Sequence, residues 1–259
     1  MFSIWIKNIM SLLKNKFEYQ KITRVNTNGI RYYKTPSKDN VPSVTSVLDQ
    51  TKSAEKKMAL ENWKRRVGHK KAAEITNDAA NRGTRLHNYL EDYVLQGFLK
   101  EKTNNPYSWP SHAMAEVIIE KGISNVNEVW GVEVPLYFPG IYAGTTDSVG
   151  IHNGEPTIMD YKQSNTPKKE EWIDDYKLQL AAYATAHNEV YGTNIRKGVI
   201  MMAVKPEINK DGTLKKIPEY QEFVVQGKDF DYWQQQWWNR LEKFYKKQIS
   251  SCALDVQVN

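Results

Sequence analysis

The chain has 259 residues, of which 40% are apolar and 25% charged, so it is long enough for one globular domain of ordinary composition. Its formal charge of +6 fits a polyanionic partner, because Lys and Arg neutralise phosphates, although a basic enzyme without such a partner fits equally well. A single cysteine, Cys252, excludes a disulfide framework or a cysteine-held zinc or iron–sulfur site within the chain, and no apolar run approaches the roughly 18 residues of a membrane-spanning helix.

The N-terminal extension is expected to combine a helix with a hairpin. Residues 1–16 contain lysines and no acidic residue, and we expect a loosely packed amphipathic helix there, with a targeting peptide as the alternative. Residues 18–25 and 29–34 predict two short strands joined at Asn28-Gly29, because Asn-Gly favours tight turns.

A mainly helical region is expected over residues 41–125. It opens with VPSVTSVL, in which Ser43 or Thr45 precedes an apolar run, as at a helix start. Helical patterning then continues with two breaks and an end at three glycines: Gly68, Gly83 and Gly97. The Asn- and Pro-rich residues 101–111 predict a loop.

The middle of the chain predicts a three-stranded antiparallel meander. Its segments alternate or run apolar, and turn sequences separate them. The expected strands cover 130–138, 141–151 and 155–163, with turns at Pro139-Gly140 and Asn153-Gly154.

Helices and strands continue to alternate after the meander. We expect a helix at 170–189, strands near 196–204 and 218–225, and a helix at 228–248. Five apolar residues recur at helical spacing on the last helix, and a buried face is favoured there over base stacking: Phe230, Trp233, Trp237, Leu241 and Phe244.

These elements predict an α/β fold with a central mixed sheet that contains an antiparallel meander and is flanked by helices, plus an N-terminal helical region. The expected organisation is an extension at 1–40 and one domain at 41–259, with a mainly helical part at 41–125 and the sheet with the last helix at 126–259.

Two acidic residues are expected to face each other across the second hairpin. If Asn153-Gly154 is a two-residue turn, the register places Asp147 directly opposite Asp160. Lys162 projects from the same face as Asp160, because side chains alternate along a strand. Opposed carboxylates repel, so a raised pKa, a cationic side chain or a metal ion must relieve the repulsion.

Such a trio has a catalytic and a structural interpretation. Two carboxylates suit Mg²⁺, and the lysine could position or deprotonate an attacking water or stabilise charge on a phosphoryl group. The alternative is an ordinary salt bridge near a sheet edge. Two helical pairs add candidates, since His87 with Glu91 and Gln179 with Tyr183 each share a helix face.

Four short motifs follow one another along the chain: Gly83-x-x-x-His87, Gly144-x-x-Asp147, Asp160-Tyr161-Lys162 and Gln179-x-x-x-Tyr183. With VPSVTSVL, this series resembles the RecB-like branch of the PD-(D/E)XK nuclease superfamily, which has a restriction-endonuclease-like fold. Within that branch it is most similar to the mitochondrial genome maintenance exonucleases and their bacterial and phage relatives, over residues 41–248. No Pro precedes Asp147, and in this respect the chain departs from the superfamily's name and resembles RecB-like members.

The resemblance implies roles for the matching residues. A site for Mg²⁺ or Mn²⁺ would use His87, Asp147, Asp160 and the carbonyl of Tyr161. An imidazole ligand favours Mn²⁺ somewhat. Lys162 would serve the attacking water, while Gln179 and Tyr183 would orient the site and the substrate phosphate.

The resemblance also implies a substrate of single-stranded DNA with free ends. Basic and aromatic residues near the motifs are candidates for DNA contacts, although a charge run is more often a solvated helix face: Trp63, Lys64, Arg65, Arg66, Lys70, Lys71, Arg82, Arg85, Lys168 and Lys169.

The expected activity is therefore that of a metal-dependent exonuclease in DNA replication, repair or recombination. An endonuclease or flap nuclease on the same fold and a non-catalytic nucleic-acid-binding module stay as alternatives. No nucleotide cofactor is expected, because the sequence has no Walker motif, so any helicase would be a separate partner, as would a single-strand-binding protein. We expect no membrane association and a cytoplasmic location in a bacterial or phage-infected cell, with the mitochondrial matrix as the alternative.

Overall fold

A computed structural model describes residues 12–27 and 29–257. The strands in chain order are β1 Thr23–Thr27, β2 Ile30–Lys34, β3 Asn40–Pro42, β4 Val126–Phe138, β5 Tyr142–His152, β6 Glu155–Ser164, β7 Lys197–Val204, β8 Glu207–Ile208, β9 Leu214–Lys216 and β10 Tyr220–Gln226. The helices are α1 Val44–Gln50, α2 Ala54–Val67, α3 His69–Gln96, α4 Trp109–Lys121, α5 Asp174–Tyr191 and α6 Gly227–Gln257.

The central sheet is mixed and has the strand order β10-β7-β6-β5-β4. Strands β4, β5 and β6 form the predicted antiparallel meander, and β10 pairs antiparallel with β7. Strands β6 and β7 are parallel, and α5 provides the long connection that a parallel pair requires. The predicted α/β fold is therefore confirmed.

Each face of the sheet is covered by helices, as the alternation of side chains along β6 requires. Ile158 lies in one apolar core with α1, α5 and α6, while Met159 lies in the other with α3 and α4. On α6, Phe230 and Trp237 are buried, which confirms the predicted apolar face. Among the described residues, no helix has the length and apolar character needed to cross a membrane.

A second, small sheet is formed by β1, β2 and β3 and lies beside the start of β5. Ser43 follows β3, bridges to Ala143, and caps α1 by accepting a hydrogen bond from the Ser46 N–H, which confirms the predicted helix start. The predicted boundary at residue 40 falls inside β3, so the small sheet continues into the domain.

Several predicted boundaries are wrong. The first strand begins at Thr23 rather than residue 18, and Asn28 of the expected turn lies outside the described residues. Residues 1–11 of the expected N-terminal helix also lie outside them, while Leu13 forms a β-bridge with Val129. Residues 109–111, expected in a loop, begin α4, because proline is tolerated in a first helical turn.

The expected break at Gly83 is also wrong, since α3 runs unbroken through it. One glycine costs a helix interior only about 1 kcal/mol. The burial of Leu86 and Leu90 on the same helix outweighs that cost.

Candidate active site

The hairpin of β5 and β6 has the register predicted from its Asn-Gly turn. Its ladder runs from His152 opposite Glu155 to Ser148 opposite Met159, and Asp147 and Asp160 are the next residues of the two strands. At that position a side chain replaces a backbone carbonyl as the acceptor, because Asp147 Oδ2 accepts a hydrogen bond of 2.5 Å from the Tyr161 N–H.

Asp147 also contacts the histidine that α3 supplies. His87 Nδ1 lies 3.2 Å from Asp147 Oδ1. Burial lowers the pKa of His87, but the hydrogen bond and charge of Asp147 outweigh burial and leave that pKa raised. Burial raises the pKa of Asp147, but His87, Lys162 and the Tyr161 N–H outweigh it and leave that pKa lowered. Asp147 is therefore ionised at neutral pH.

Glu133 is a third member of this group and was missed in the sequence. The register of β4 and β5 pairs Val132 with Ser148 and Val134 with Thr146, so Glu133 lies opposite Asp147. A two-residue turn at Pro139-Gly140 would have paired Glu133 with Thr146 instead, because the loop has a third residue and pairs Phe138 with Tyr142. Ligand atoms of His87, Glu133 and Asp147 all lie within 4.8 Å of one another, which suits a small cation.

Glu133 has an unusual backbone and an unusual acidity. Its φ of 48° lies in the left-handed region, which side chains other than glycine rarely adopt. Burial and the charge of Asp147 raise its pKa to about 7. The carboxyl borders an open cleft of about 390 Å³ that His87, Asn88 and Glu91 also line.

The buried Asp160 and the half-buried Lys162 form a charge pair next to this group. The Lys162 ammonium contacts Asp160 Oδ2. Burial raises the pKa of Asp160 to about 6, with the charge of Asp147 adding to the rise and that of Lys162 opposing it. Burial lowers the pKa of Lys162, but both aspartates outweigh it and raise that pKa to about 12. Asp160 is thus close enough to Asp147 for the charge of Asp147 to affect the pKa of Asp160, although the Asp160 carboxylate contacts the lysine.

The residues predicted on α5 lie at the same end of the sheet. Tyr183 is buried, and its pKa is raised well above the ordinary value by burial and by the charge of Asp160. A Cβ added to Gly144 would lie 2.7 Å from the Tyr183 ring, so this glycine lets helix and strand approach closely. Gln179 is half-buried on the same helix, four residues earlier. The metal contact predicted for the Tyr161 carbonyl stays a prediction.

Arg82 is the one predicted DNA contact that the structure argues against. Its side chain is buried and donates from Nε to Gln163 Oε1 at 2.9 Å and from a terminal nitrogen to Asn165. Gln163 in turn donates to the Ala79 carbonyl. Arg82 therefore fastens α3 to the end of β6, immediately after Lys162, and is not available to DNA.

The other predicted contacts lie on accessible surface. Arg85 is half-buried and donates to the Tyr107 carbonyl. The exposed Lys169 has its ammonium group 5.4 Å from the centre of the Trp172 ring. The Lys168 N–H donates to Gln221. The remaining predicted contacts lie on α2 and the first turn of α3 and are half-buried or exposed: Trp63, Lys64, Arg65, Arg66, Lys70 and Lys71.

The assembled site joins a cation-binding group to a fixed positive charge. Three ligands converge from three elements, and Asp160 holds Lys162 beside them. A divalent ion between them would relieve the repulsion of the carboxylates. This donor set of oxygens and one imidazole suits Mg²⁺ or Mn²⁺.

The chain is similar in sequence to known nucleases. Residues 120–252 match the family described as the PD-(D/E)XK nuclease superfamily. Mitochondrial genome maintenance exonuclease 1 from Mus musculus is 28% identical over 224 residues, covering 83% of this chain and 62% of that protein. The Homo sapiens protein of the same name is 30% identical over 226 residues, covering 83% and 61%.

The chain thus spans about three fifths of the length of the curated relatives it matches. Among solved structures, a phage-related exonuclease from Haemophilus somnus is 14% identical, with a TM-score of 0.36. The match covers 64% of this chain and 82% of the phage-related exonuclease, and a similarity this low supports no inference.

Proposed function

Because the chain belongs to the PD-(D/E)XK nuclease superfamily, we propose that it hydrolyses phosphodiester bonds of DNA with the help of a divalent metal ion. The observation that carries the proposal is the convergence of His87, Glu133 and Asp147 within 4.8 Å, beside the charge pair of Asp160 and Lys162. A binding module has no need of opposed carboxylates, which cost stability.

His87, Glu133 and Asp147 would hold the ion, with Asp160 as a further oxygen ligand. Mg²⁺ or Mn²⁺ held there would act as a Lewis acid on the scissile phosphate and make a water molecule more acidic. Asp147 is ready for this role, since its pKa is lowered. Glu133, whose pKa is raised to about 7, would release the proton that it partly retains at neutral pH when the ion binds.

Lys162 acts as a cation rather than as a base. Its pKa is raised to about 12, so it carries a proton at neutral pH. The ammonium group can donate a hydrogen bond to the attacking water and stabilise the negative charge that develops on the phosphoryl oxygens. Asp160 positions the ammonium group through their charge pair. Gln179 and Tyr183 would orient the substrate phosphate from α5.

We propose single-stranded DNA with free ends as the substrate and an exonuclease as the activity. The relatives named mitochondrial genome maintenance exonuclease 1 support the exonuclease activity, and the net charge of +6 suits a polyanion. The single-stranded substrate rests on the family resemblance of the sequence motifs. A role in DNA replication, repair or recombination is part of the same proposal, and the words 'genome maintenance' in the name of these relatives support it. A helicase or single-strand-binding protein as partner, and a cytoplasmic or mitochondrial location, are parts of this proposal that rest on family likeness.

The proposal is tested with end-labelled linear and circular single strands in Mg²⁺ or Mn²⁺. Cutting of linear but not circular DNA is expected. Cutting of circles would establish an endonuclease instead. Binding without any cutting, in either metal, would leave a nucleic-acid-binding module and overturn the catalytic assignment.

A further inference from the structure

A polar pocket separate from the carboxylate site lies between the hairpin of β1 and β2 and helix α1. Its volume is about 370 Å³. Two arginines line it, Arg24 from β1 and Arg31 from β2, together with Asn26 and the hydroxyl-bearing Thr45. The pocket therefore combines two fixed positive charges with neutral hydrogen-bond donors.

The strand register places both arginines on one face of the hairpin. Arg24 pairs with Tyr33, and Arg31 pairs with Asn26, so the two arginines are diagonal neighbours on that face. Diagonal positions in an antiparallel pair lie about 7–8 Å apart, which long side chains can span. Their guanidinium groups can therefore converge on one anion.

The positive charges of the pocket are not neutralised from within. Across residues 12–27 and 29–257, no carboxylate pairs with Arg24 or Arg31. The one acid that lines the pocket, Asp49, is engaged by Lys52 at 2.7 Å. Two neighbouring guanidinium groups repel each other, and an anion with several oxygens relieves that repulsion while accepting their forked hydrogen bonds.

The pocket also lies close to the carboxylate site. The small sheet is joined to β5 where Ser43 bridges to Ala143, and Gly144 and Asp147 follow on that strand. The Ser43 N–H donates a hydrogen bond of 2.8 Å to the Arg31 carbonyl, so the strand that carries Arg31 lies directly beside this junction with β5. One nucleic-acid strand can therefore reach both places.

We propose that the pocket of Arg24 and Arg31 binds an internal phosphodiester of the same strand that the carboxylate site cuts. This inference rests on the proposed function. The arginine forks match phosphate oxygens, and the position beside β5 makes the pocket a second point of attachment for the strand. It holds the chain of nucleotides while the scissile phosphate lies at the carboxylates.

Binding is measured first, with a fluorescent single-stranded 20-nucleotide probe in EDTA and over a range of salt concentrations. Replacing both arginines (R24A with R31A) is expected to weaken binding on the order of tenfold. The dependence of log K on log salt is expected to be shallower by about 0.7 for the one lost phosphate contact. Arg196→Ala is the matched control, since it removes an arginine paired with Asp231 just before β7, at the opposite end of the sheet. It is expected to bind as the parent protein does.

Cutting is then compared between the 20-nucleotide strand and the p-nitrophenyl ester of thymidine 5′-phosphate, which is too short to span both places. The ratio of the two rates is expected to fall about tenfold in the double variant and to be unchanged in Arg196→Ala. If the parent protein cuts neither substrate, the proposed function fails. If it cuts both and the double variant keeps the parent ratio and affinity, only the pocket assignment fails.

Two further arms identify the phosphate and guard against misfolding. In the double alanine variant, the affinity for strands with and without a 5′-phosphate is expected to fall equally. A loss confined to the 5′-phosphorylated strand would show that the pocket binds the terminal phosphate and would overturn the assignment to an internal phosphodiester. In the parent protein, millimolar inorganic phosphate is expected to compete weakly with DNA, and to the same extent for strands with and without a 5′-phosphate. Arg24→Lys with Arg31→Lys keeps the charge, and recovery of part of the affinity is expected. Loss as complete as with alanine, in a protein with the parent melting temperature, would contradict a role for charge.

Discussion

At the scale of single residues, Lys162 and Asp160 depend on each other. The ammonium group opposes the rise in the pKa of Asp160 that burial causes, and the two aspartates keep the lysine protonated. Neither partner can be removed without leaving the other uncompensated.

Lys162→Ala is therefore expected to lower the cutting rate at least about 100-fold, because it removes the cation beside the attacking water. Single-strand binding, measured in EDTA, is expected to stay within about threefold of the parent, since other cations contact the strand. Lys121→Ala, on the exposed end of α4, is the control and should cut normally. Undiminished cutting by Lys162→Ala would remove Lys162 from the site.

Glu133 predicts a dependence of stability on pH. Its pKa is about 7 in the folded protein, because burial and Asp147 raise it from 4.5. A carboxyl with a raised pKa contributes to stability below its unfolded pKa, and that contribution is lost as pH rises through the folded pKa. Without metal, Glu133→Gln should therefore melt higher than the parent at pH 8, on the order of 1–2 °C because the side chain is partly screened by solvent.

The same comparison at pH 4 is expected to show no gain, since glutamate is then protonated in both states. Glu128→Gln, on the same strand and outside the ligand group, is the matched control. A gain that is equal at pH 4 and pH 8 would mean that ionisation of Glu133 is not its source.

Single residues were predictable where a local rule applied. The Asn153-Gly154 turn was enough to bring Asp147 close to Asp160, because a two-residue hairpin fixes every pair along its ladder. The burial of Arg82 was not predictable, since its partners Gln163 and Asn165 lie on another element. The left-handed φ of Glu133 has no sequence signal, as the residue is not glycine.

At the scale of elements, two glycines make opposite predictions. Gly83 lies inside α3, where an added Cβ would meet nothing closer than 3.9 Å. Gly83→Ala should raise the free energy of unfolding by about 0.5–1 kcal/mol, because alanine favours helix. Gly144→Ala should lower it by about 1–3 kcal/mol, because the new methyl group meets the Tyr183 ring at 2.7 Å.

Urea unfolding of both variants measures this contrast, and each serves as the control for the other. The Gly144 variant is also expected to cut more slowly, since Tyr183 must move. Stabilisation by Gly144→Ala, or destabilisation by Gly83→Ala, would contradict the packing described for α3 and β5.

Elements were predicted well where their pattern was periodic and poorly where a local signal competed with packing. The meander and α5 follow from alternation and helical spacing. The start of α4 was missed because Pro110 and its Asn-rich neighbours favour a loop, yet proline suits a first helical turn. The predicted helix break at Gly83 is wrong for a related reason. The low helix propensity of one glycine is outweighed by the packing of the buried apolar face of α3.

At the scale of the whole molecule, the site joins parts that are far apart in the chain. His87 comes from α3, Glu133 from β4 and Asp147 from β5, so an ion among them would link one helical layer to the sheet. The parallel pairing of β6 with β7 could not be predicted from the sequence, because strand order depends on how the connecting helix packs.

Mn²⁺ at about 100 times its dissociation constant is therefore expected to raise the free energy of unfolding by about 2.7 kcal/mol, or several degrees in melting temperature. EDTA should reverse the shift. His87→Ala should reduce it, while Arg196→Ala should not. A shift of the same size in His87→Ala would place the ion elsewhere.

Because of the left-handed backbone at Glu133, selection for heat resistance and selection for nuclease activity should favour different residues at this position. A left-handed conformation costs a side chain about 1–2 kcal/mol relative to glycine. Libraries screened for heat resistance should therefore enrich glycine or asparagine at position 133, while libraries screened for DNA degradation should retain the acid. A thermostable variant selected in this way would still bind DNA but would have lost its nuclease activity.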